Sequence, residues 1–472
     1  MNNKLYTILR TFDKIEMNRL EKYILSPYFN KNQYTTQLFG LLMKNVESKN
    51  AKELVKEDVW KILFEKEKYD DVRFRKINSD LLKLVEGYLA QQLYDENPLH
   101  QAIYLMEAVT RKKLDKLHNS TVKAAEELSK KQQYRPSGYY FYQYQIERNL
   151  YMLSDLDTQR TSKTNLEKII NNLDYFYLAE KLRYYVDILQ RQSVVSHEYQ
   201  LLFIDEILEH LGKQNYENVA AVSVYYQIYL TLKEPENENH FDTLMELLEK
   251  DASAFPESEA NLLYKAALNY CVAKVNKGNQ HFLENLFNIY IALINNKLLF
   301  IGDSFNTVVF SNIIYTALRL EKYQWAIDFV EKYQDKLPFE NRESTVNFNF
   351  ARIYFRMKKF DKVIPLLSVS EFPDYLMTLN AKVTLAGAYY ELDELTPLYS
   401  LLESVKIYLS RHKDISPQRK ELFSNFIKFT RKLTELIPRD KKAIQKLREE
   451  LNNTKNITNA DWLHEKLNAL ER

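Results

Sequence analysis

The stretch Asn312-Ile313-Ile314-Tyr315-Thr316-Ala317-Leu318-Arg319-Leu320-Glu321-Lys322-Tyr323-Gln324-Trp325-Ala326-Ile327 has a second copy further along the chain. At an offset of 37 stands Asn349-Phe350-Ala351-Arg352-Ile353-Tyr354-Phe355-Arg356-Met357-Lys358-Lys359-Phe360-Asp361-Lys362-Val363-Ile364. A third copy follows, with Ala386, Tyr389, Tyr390, Leu392, Leu395, Leu398 and Leu402 on the matching apolar positions. Periods of this length mark stacked arrays of one supersecondary unit. The apolar spacing within each copy is helical, so the unit is a helical hairpin. One hairpin has too little core to fold alone, and stacking buries a continuous seam between neighbours.

These copies resemble the tetratricopeptide repeat, a pair of antiparallel helices. The family's small residue in the first helix is matched by Ala351 and Ala386, and its late aromatic by Tyr354 and Tyr389. Tyr323 and Phe360 match the aromatic at the turn, Ala326 the alanine early in the second helix, and Pro338 the closing proline. Val363 and Leu398 depart from the preferred alanine, and Ile314 from the small position. The resemblance covers residues 304 to 402 and implies an all-α fold, a right-handed α-solenoid of stacked antiparallel helix pairs.

Working outward, four segments are expected. Residues 1–95 form an N-terminal helical region, 96–303 a divergent array of helical hairpins, 304–402 the tetratricopeptide-like repeats, and 403–472 the C-terminal helices with a capping helix. In the first segment, Asp13-Lys14-Ile15-Glu16 has capping-box spacing. Phe74, Ile77, Leu81, Leu84, Val85 and Tyr88 line one face of a later helix. At the other end, Thr458-Asn459-Ala460-Asp461 opens a last helix with Trp462, Leu463, Leu467 and Leu470 on one face. Breaks are expected near Gly138, Gly212, Gly278 and Gly302, and no segment reads as a β-strand.

Composition agrees with helices joined by short turns. The 472 residues include only 7 Gly, against 35 Tyr and 25 Phe. Rossmann sheets and phosphate loops use glycine where the backbone turns left-handed or meets a ligand closely, so these folds are poorly supplied. The 66 basic and 64 acidic side chains cancel almost completely, which gives no global pull toward nucleic acid or an anionic membrane. The lone Cys271 excludes an intramolecular disulfide and sits in a small apolar helical stretch, where a buried, inert thiol is expected. No secretory leader and no run of 18 uncharged apolar residues is evident, so the expected location is cytoplasmic.

Candidate binding residues come from the repeats. Asn312, Tyr315 and Arg319 are spaced three and four apart and share a helix face; Asn349, Arg352 and Arg356 repeat the stripe in register. In tetratricopeptide-type proteins the first helices line a concave groove whose polar residues often hold acidic or C-terminal carboxylate groups. The resemblance therefore implies that these six residues, with Tyr390, form a basic and aromatic patch for an extended acidic segment. Arginine suits that task, because its planar fork meets a carboxylate at two points. Gly387, one residue after Ala386, is expected on the groove side, where a missing side chain lets a ligand backbone come close. The complete basic set of the carboxylate-clamp subfamily is not evident, and an ordinary solvated face is the alternative reading.

Residues 406–448 carry 13 Lys or Arg against 4 Asp or Glu, a second candidate surface that would suit phosphates. The same segment also reads as an amphipathic surface helix. The aromatic run Tyr139-Tyr140-Phe141-Tyr142-Gln143-Tyr144 is expected to pack in several directions, since successive helical residues diverge. No Walker loop, nucleophile elbow, dinucleotide fingerprint or paired-histidine zinc motif is present, and no cofactor or metal is expected. The expected function is that of a non-catalytic protein–protein interaction scaffold holding an extended peptide or partner helix. A nucleic-acid-binding or regulatory role for 406–448 is the alternative.

Overall fold

The structure is a computed structural model that describes residues 4–47, 54–153, 164–192, 197, 199–302, 304–368, 370, 372 and 374–472. The chain divides into two compact units, one ending at Lys181 and one beginning at Leu182. Among the described residues there are 23 α-helices. In the first unit these are α1 (Lys4–Leu9), α2 (Lys14–Leu25), α3 (Gln33–Glu47), α4 (Lys56–Leu63), α5 (Asp71–Asp95), α6 (Pro98–Lys112), α7 (Asp115–Lys130) and α8 (Ser137–Leu153). Helix α9 (Leu166–Gln192) begins in that unit and ends in the second. The second continues with α10 (Ile204–Lys213), α11 (Ala220–Lys233), α12 (Asn239–Asp251), α13 (Glu257–Asn276), α14 (Phe282–Asn295), α15 (Thr307–Arg319) and α16 (Tyr323–Tyr333). It closes with α17 (Arg342–Arg356), α18 (Phe360–Ser368), α19 (Tyr375–Glu391), α20 (Leu395–Arg411), α21 (Pro417–Glu435), α22 (Lys441–Asn453) and α23 (Ala460–Glu471).

Local signals set several helix ends. Asp13 Oδ1 accepts the Glu16 amide at 2.8 Å, while Glu16 Oε2 accepts the Asp13 amide at 2.9 Å, a complete capping box at the start of α2. The core of that region gathers Leu20, Ile24, Trp60, Phe74, Ile77, Leu81, Val85 and Tyr88. The aromatic run of α8 splits as its helical directions require: Tyr140 meets Tyr175, and Phe141 meets Phe176.

From α11 to α21 each helix packs on the next, and alternate helices also touch: α11 on α13, α15 on α17, α17 on α19, α19 on α21. The tightest regularity lies in the turns. Glu321, Lys358 and Asp393 all have a left-handed backbone, with φ of 57°, 59° and 57°. In each turn the following amide donates back across it, Lys322 to Ala317, Lys359 to Tyr354 and Glu394 to Tyr389, at 2.8–2.9 Å. Gly278 between α13 and α14 makes the same turn with φ of 101°. Scarce glycine thus does not mean scarce left-handed turns; Lys, Glu and Asp occupy them.

Three details differ from the sequence expectations. Residues Phe300–Ile301 and Ser304–Phe305 pair as a two-residue antiparallel hairpin around left-handed Gly302, too short to carry a strand pattern. Gly138 and Gly212 lie inside helices, near an end of each, rather than in breaks. The last helix starts at Ala460, after a left-handed N-cap Asn459 whose side chain makes no capping hydrogen bond. Among the described residues no helix is long and apolar enough to cross a membrane.

Candidate functional site

Aligning the three turns at Glu321, Lys358 and Asp393 puts the residues of α15, α17 and α19 into rows. Thirteen residues before the turn stand Val308, Thr345 and Asn380; nine before, Asn312, Asn349 and Thr384; six before, Tyr315, Arg352 and Gly387; two before, Arg319, Arg356 and Glu391. A groove enclosing about 620 Å³ runs over these helices. Its walls include Val308, Ser311, Asn312 and Tyr315 of α15; Thr345, Phe348, Arg352 and Arg356 of α17; and Leu376, Met377 and Asn380 of α19. The segment Ile457–Asp461, ahead of α23, closes part of it. Capping sets the helix starts beside it: Asn306 accepts the Val308 and Val309 amides, and Asp374 accepts the Met377 amide at 2.8 Å.

Arg352 and Arg356 carry the groove's positive charge. The Arg352 guanidinium sits 4.9 Å from the Tyr315 ring and 5.3 Å from the Phe348 ring. Its Nη1 lies 3.5 Å from the Ser311 carbonyl. Burial pushes this guanidinium down to about 10, with repulsion from Arg356 adding to the fall, so it stays charged at neutral pH. No carboxylate pairs with Arg352 or Arg356 among the described residues. In the row of Arg356 the flanking positions are spent. Arg319 donates to Gln280 Oε1 at 2.6 Å, and Glu391 takes the Trp462 indole at 2.8 Å and Lys466 at 2.6 Å.

The eight residues expected at the site separate into two groups. Asn312, Tyr315, Arg352 and Arg356 line the groove, and Tyr315 is 44% exposed. Asn349 does not; it is fully buried and donates from Nδ2 to Ser311 Oγ at 3.0 Å and to the Thr345 carbonyl at 2.8 Å, tying α17 to α15. Arg319 is held by Gln280 outside the lining. Tyr390 meets Trp462 edge-on at 5.3 Å, and burial, then Glu391 and Asp393, push its phenol up. Gly387 is corrected: it is buried, and a Cβ there would lie 2.7 Å from the Phe355 ring, so a side chain rather than a ligand fills its space.

Sequence reasoning missed two features. Thr345 lines the groove fully buried, and its Oγ1 has no hydrogen-bond partner; Asn349 Oδ1 beneath is also unpaired. The wall at Ile457–Asp461 comes from a distant part of the chain and carries no repeat signal.

Elsewhere, Cys271 is buried, and burial pushes its thiol up to about 12, which keeps it protonated. In the basic C-terminal helices, Arg431 pairs with Glu403 at 3.1 Å, Lys428 and Lys432 with Glu450 at 2.7 and 2.6 Å, and Arg448 with Glu471 at 2.5 Å. These pairs match four of the thirteen Lys and Arg of residues 406–448 within the fold. No protein-family model matches the chain, and no curated protein matches it in sequence.

Proposed function

We propose that the protein is a non-catalytic interaction scaffold of tetratricopeptide-like helical hairpins, stacked as a right-handed solenoid, which holds an extended acidic segment of a partner in the groove over α15, α17 and α19. One observation carries this reading: Arg352 and Arg356 line the groove without an acidic partner among the described residues, and the burial of Arg352 is met only by two aromatic rings and a carbonyl at 3.5 Å. An incoming carboxylate would supply the missing charge and accept from both forks. Four cations of the basic helices, Lys428, Arg431, Lys432 and Arg448, already have carboxylates, and the groove, with its two arginines unpaired among the described residues, is favoured over residues 406–448.

Affinity capture from cell extract tests the reading. Arg356→Glu, at an exposed position, should abolish capture of partners retained by the wild-type chain while leaving the helical circular dichroism unchanged. Equal recovery by both proteins would remove the groove from consideration.

A further inference from the structure

Resting on the groove reading, we infer that the bound segment carries a bulky apolar side chain about five residues from its acidic one. The groove is graded along its length. At one end, Val308 is 64% exposed and Leu376 is 37% exposed, and each is the second residue of its helix. Both line the groove from opposite sides, with α17 between them. Solvated aliphatic side chains on a groove wall gain by covering with another apolar group. At the other end stand Arg352 and Arg356.

The spacing follows from helix geometry. Val308 and Leu376 lie 13 and 17 residues before their turns, Arg352 and Arg356 six and two before theirs. The two pairs are thus centred 11 residues apart, or about 16 Å at 1.5 Å per residue. An extended chain advancing about 3.3 Å per residue covers that distance in about five residues. At the level of Val308 the groove wall also includes Thr345, whose buried Oγ1 has no hydrogen-bond partner. The occupant is therefore an extended partner segment, recognised by an apolar anchor and an acid in fixed order.

A synthetic library of twelve-residue peptides whose central position is either Glu or Gln, all other positions being varied, is screened against the full-length chain. Enrichment of Leu, Ile, Met or Phe about five positions from the Glu, on one side, is expected. Val308→Asp should erase that preference and weaken the selected peptide at least tenfold while retaining selection for Glu; Arg356→Glu should remove the selection for Glu. Selection of Glu with no positional apolar preference, unchanged in Val308→Asp, overturns this inference and leaves the groove reading standing. Peptides selected equally by wild type and Arg356→Glu overturn both. No peptide selected, with sedimentation showing self-association that Arg356→Glu abolishes, assigns the groove to a second copy and also overturns the inference.

Discussion

The ring of Phe355 occupies the space beside Gly387 that a side chain would need, with its Cε2 and Cζ 2.7 Å from where a Cβ would stand. This contact locks α17 against α19 and brings Trp462 of α23 within 3.8 Å of the same point. The groove therefore rests on a knob and its socket directly beside the arginines.

Gly387→Ala should consequently destabilise the second unit by about 1–3 kcal/mol, because an aromatic ring held between two helices cannot retreat without off-rotamer strain. Urea denaturation checks this. Phe355→Leu in the Gly387→Ala background should recover part of the loss, as the smaller side chain leaves room for the methyl group.

The left-handed turns yield a stabilising change. Glu321 adopts φ of 57° at the end of α15, a conformation that costs a non-glycine residue about 1–2 kcal/mol. Glu321→Gly should raise stability by up to about 1 kcal/mol, the gain being limited by the extra freedom glycine has when unfolded. At Gly278, with φ of 101° and open space around it, alanine should do the reverse through backbone strain alone. Thermal unfolding of the two variants should shift in opposite directions.

Thr345→Val separates stability from binding. The buried hydroxyl has no partner, so an isosteric methyl group should leave stability unchanged or raise it by about 1 kcal/mol. Affinity for a groove peptide should stay the same, because the hydroxyl is covered. A several-fold loss of affinity would show that a ligand reaches it.

Acid should weaken the C-terminal helices in a defined direction. Hydrogen bonds from Lys428 and then Lys432 hold the Glu450 carboxyl below the usual carboxylate range. Its folded value lies below the unfolded one of about 4.3, so the contribution is complete above that pH and disappears as the pH falls through the folded value. The stability of Glu450→Gln should trail the wild type at pH 7, by no more than about 1 kcal/mol for so open a pair, and the gap should close as the pH falls through the folded value.

The repeat register was readable because it rests on local chemistry. Asn312 and Asn349, or Tyr315 and Arg352, occupy equal levels since the intervening turns have the same geometry, and helical spacing alone predicts this. Burial was less readable. Asn349 shares its stripe with Arg352 and Arg356, yet Ser311 of α15 covers it, and a stripe defined by spacing alone does not reveal which edge a neighbouring helix overlaps. Gly387 was identified as unusual but assigned the wrong neighbour, because only packing decides whether a ring or a ligand fills a vacant Cβ position. The wall at Ile457–Asp461 lies outside the repeat, so no periodicity points to it.

The most direct test of the groove account is site-specific photo-crosslinking. A photoreactive side chain replaces Asn312, which lines the groove, or Leu262, which is 53% exposed and lies outside it. Crosslinking from position 312 to an acidic peptide segment of a retained partner, lost on adding Arg356→Glu and not seen from position 262, is the predicted result. Partner crosslinks from position 262 with none from position 312 would contradict it.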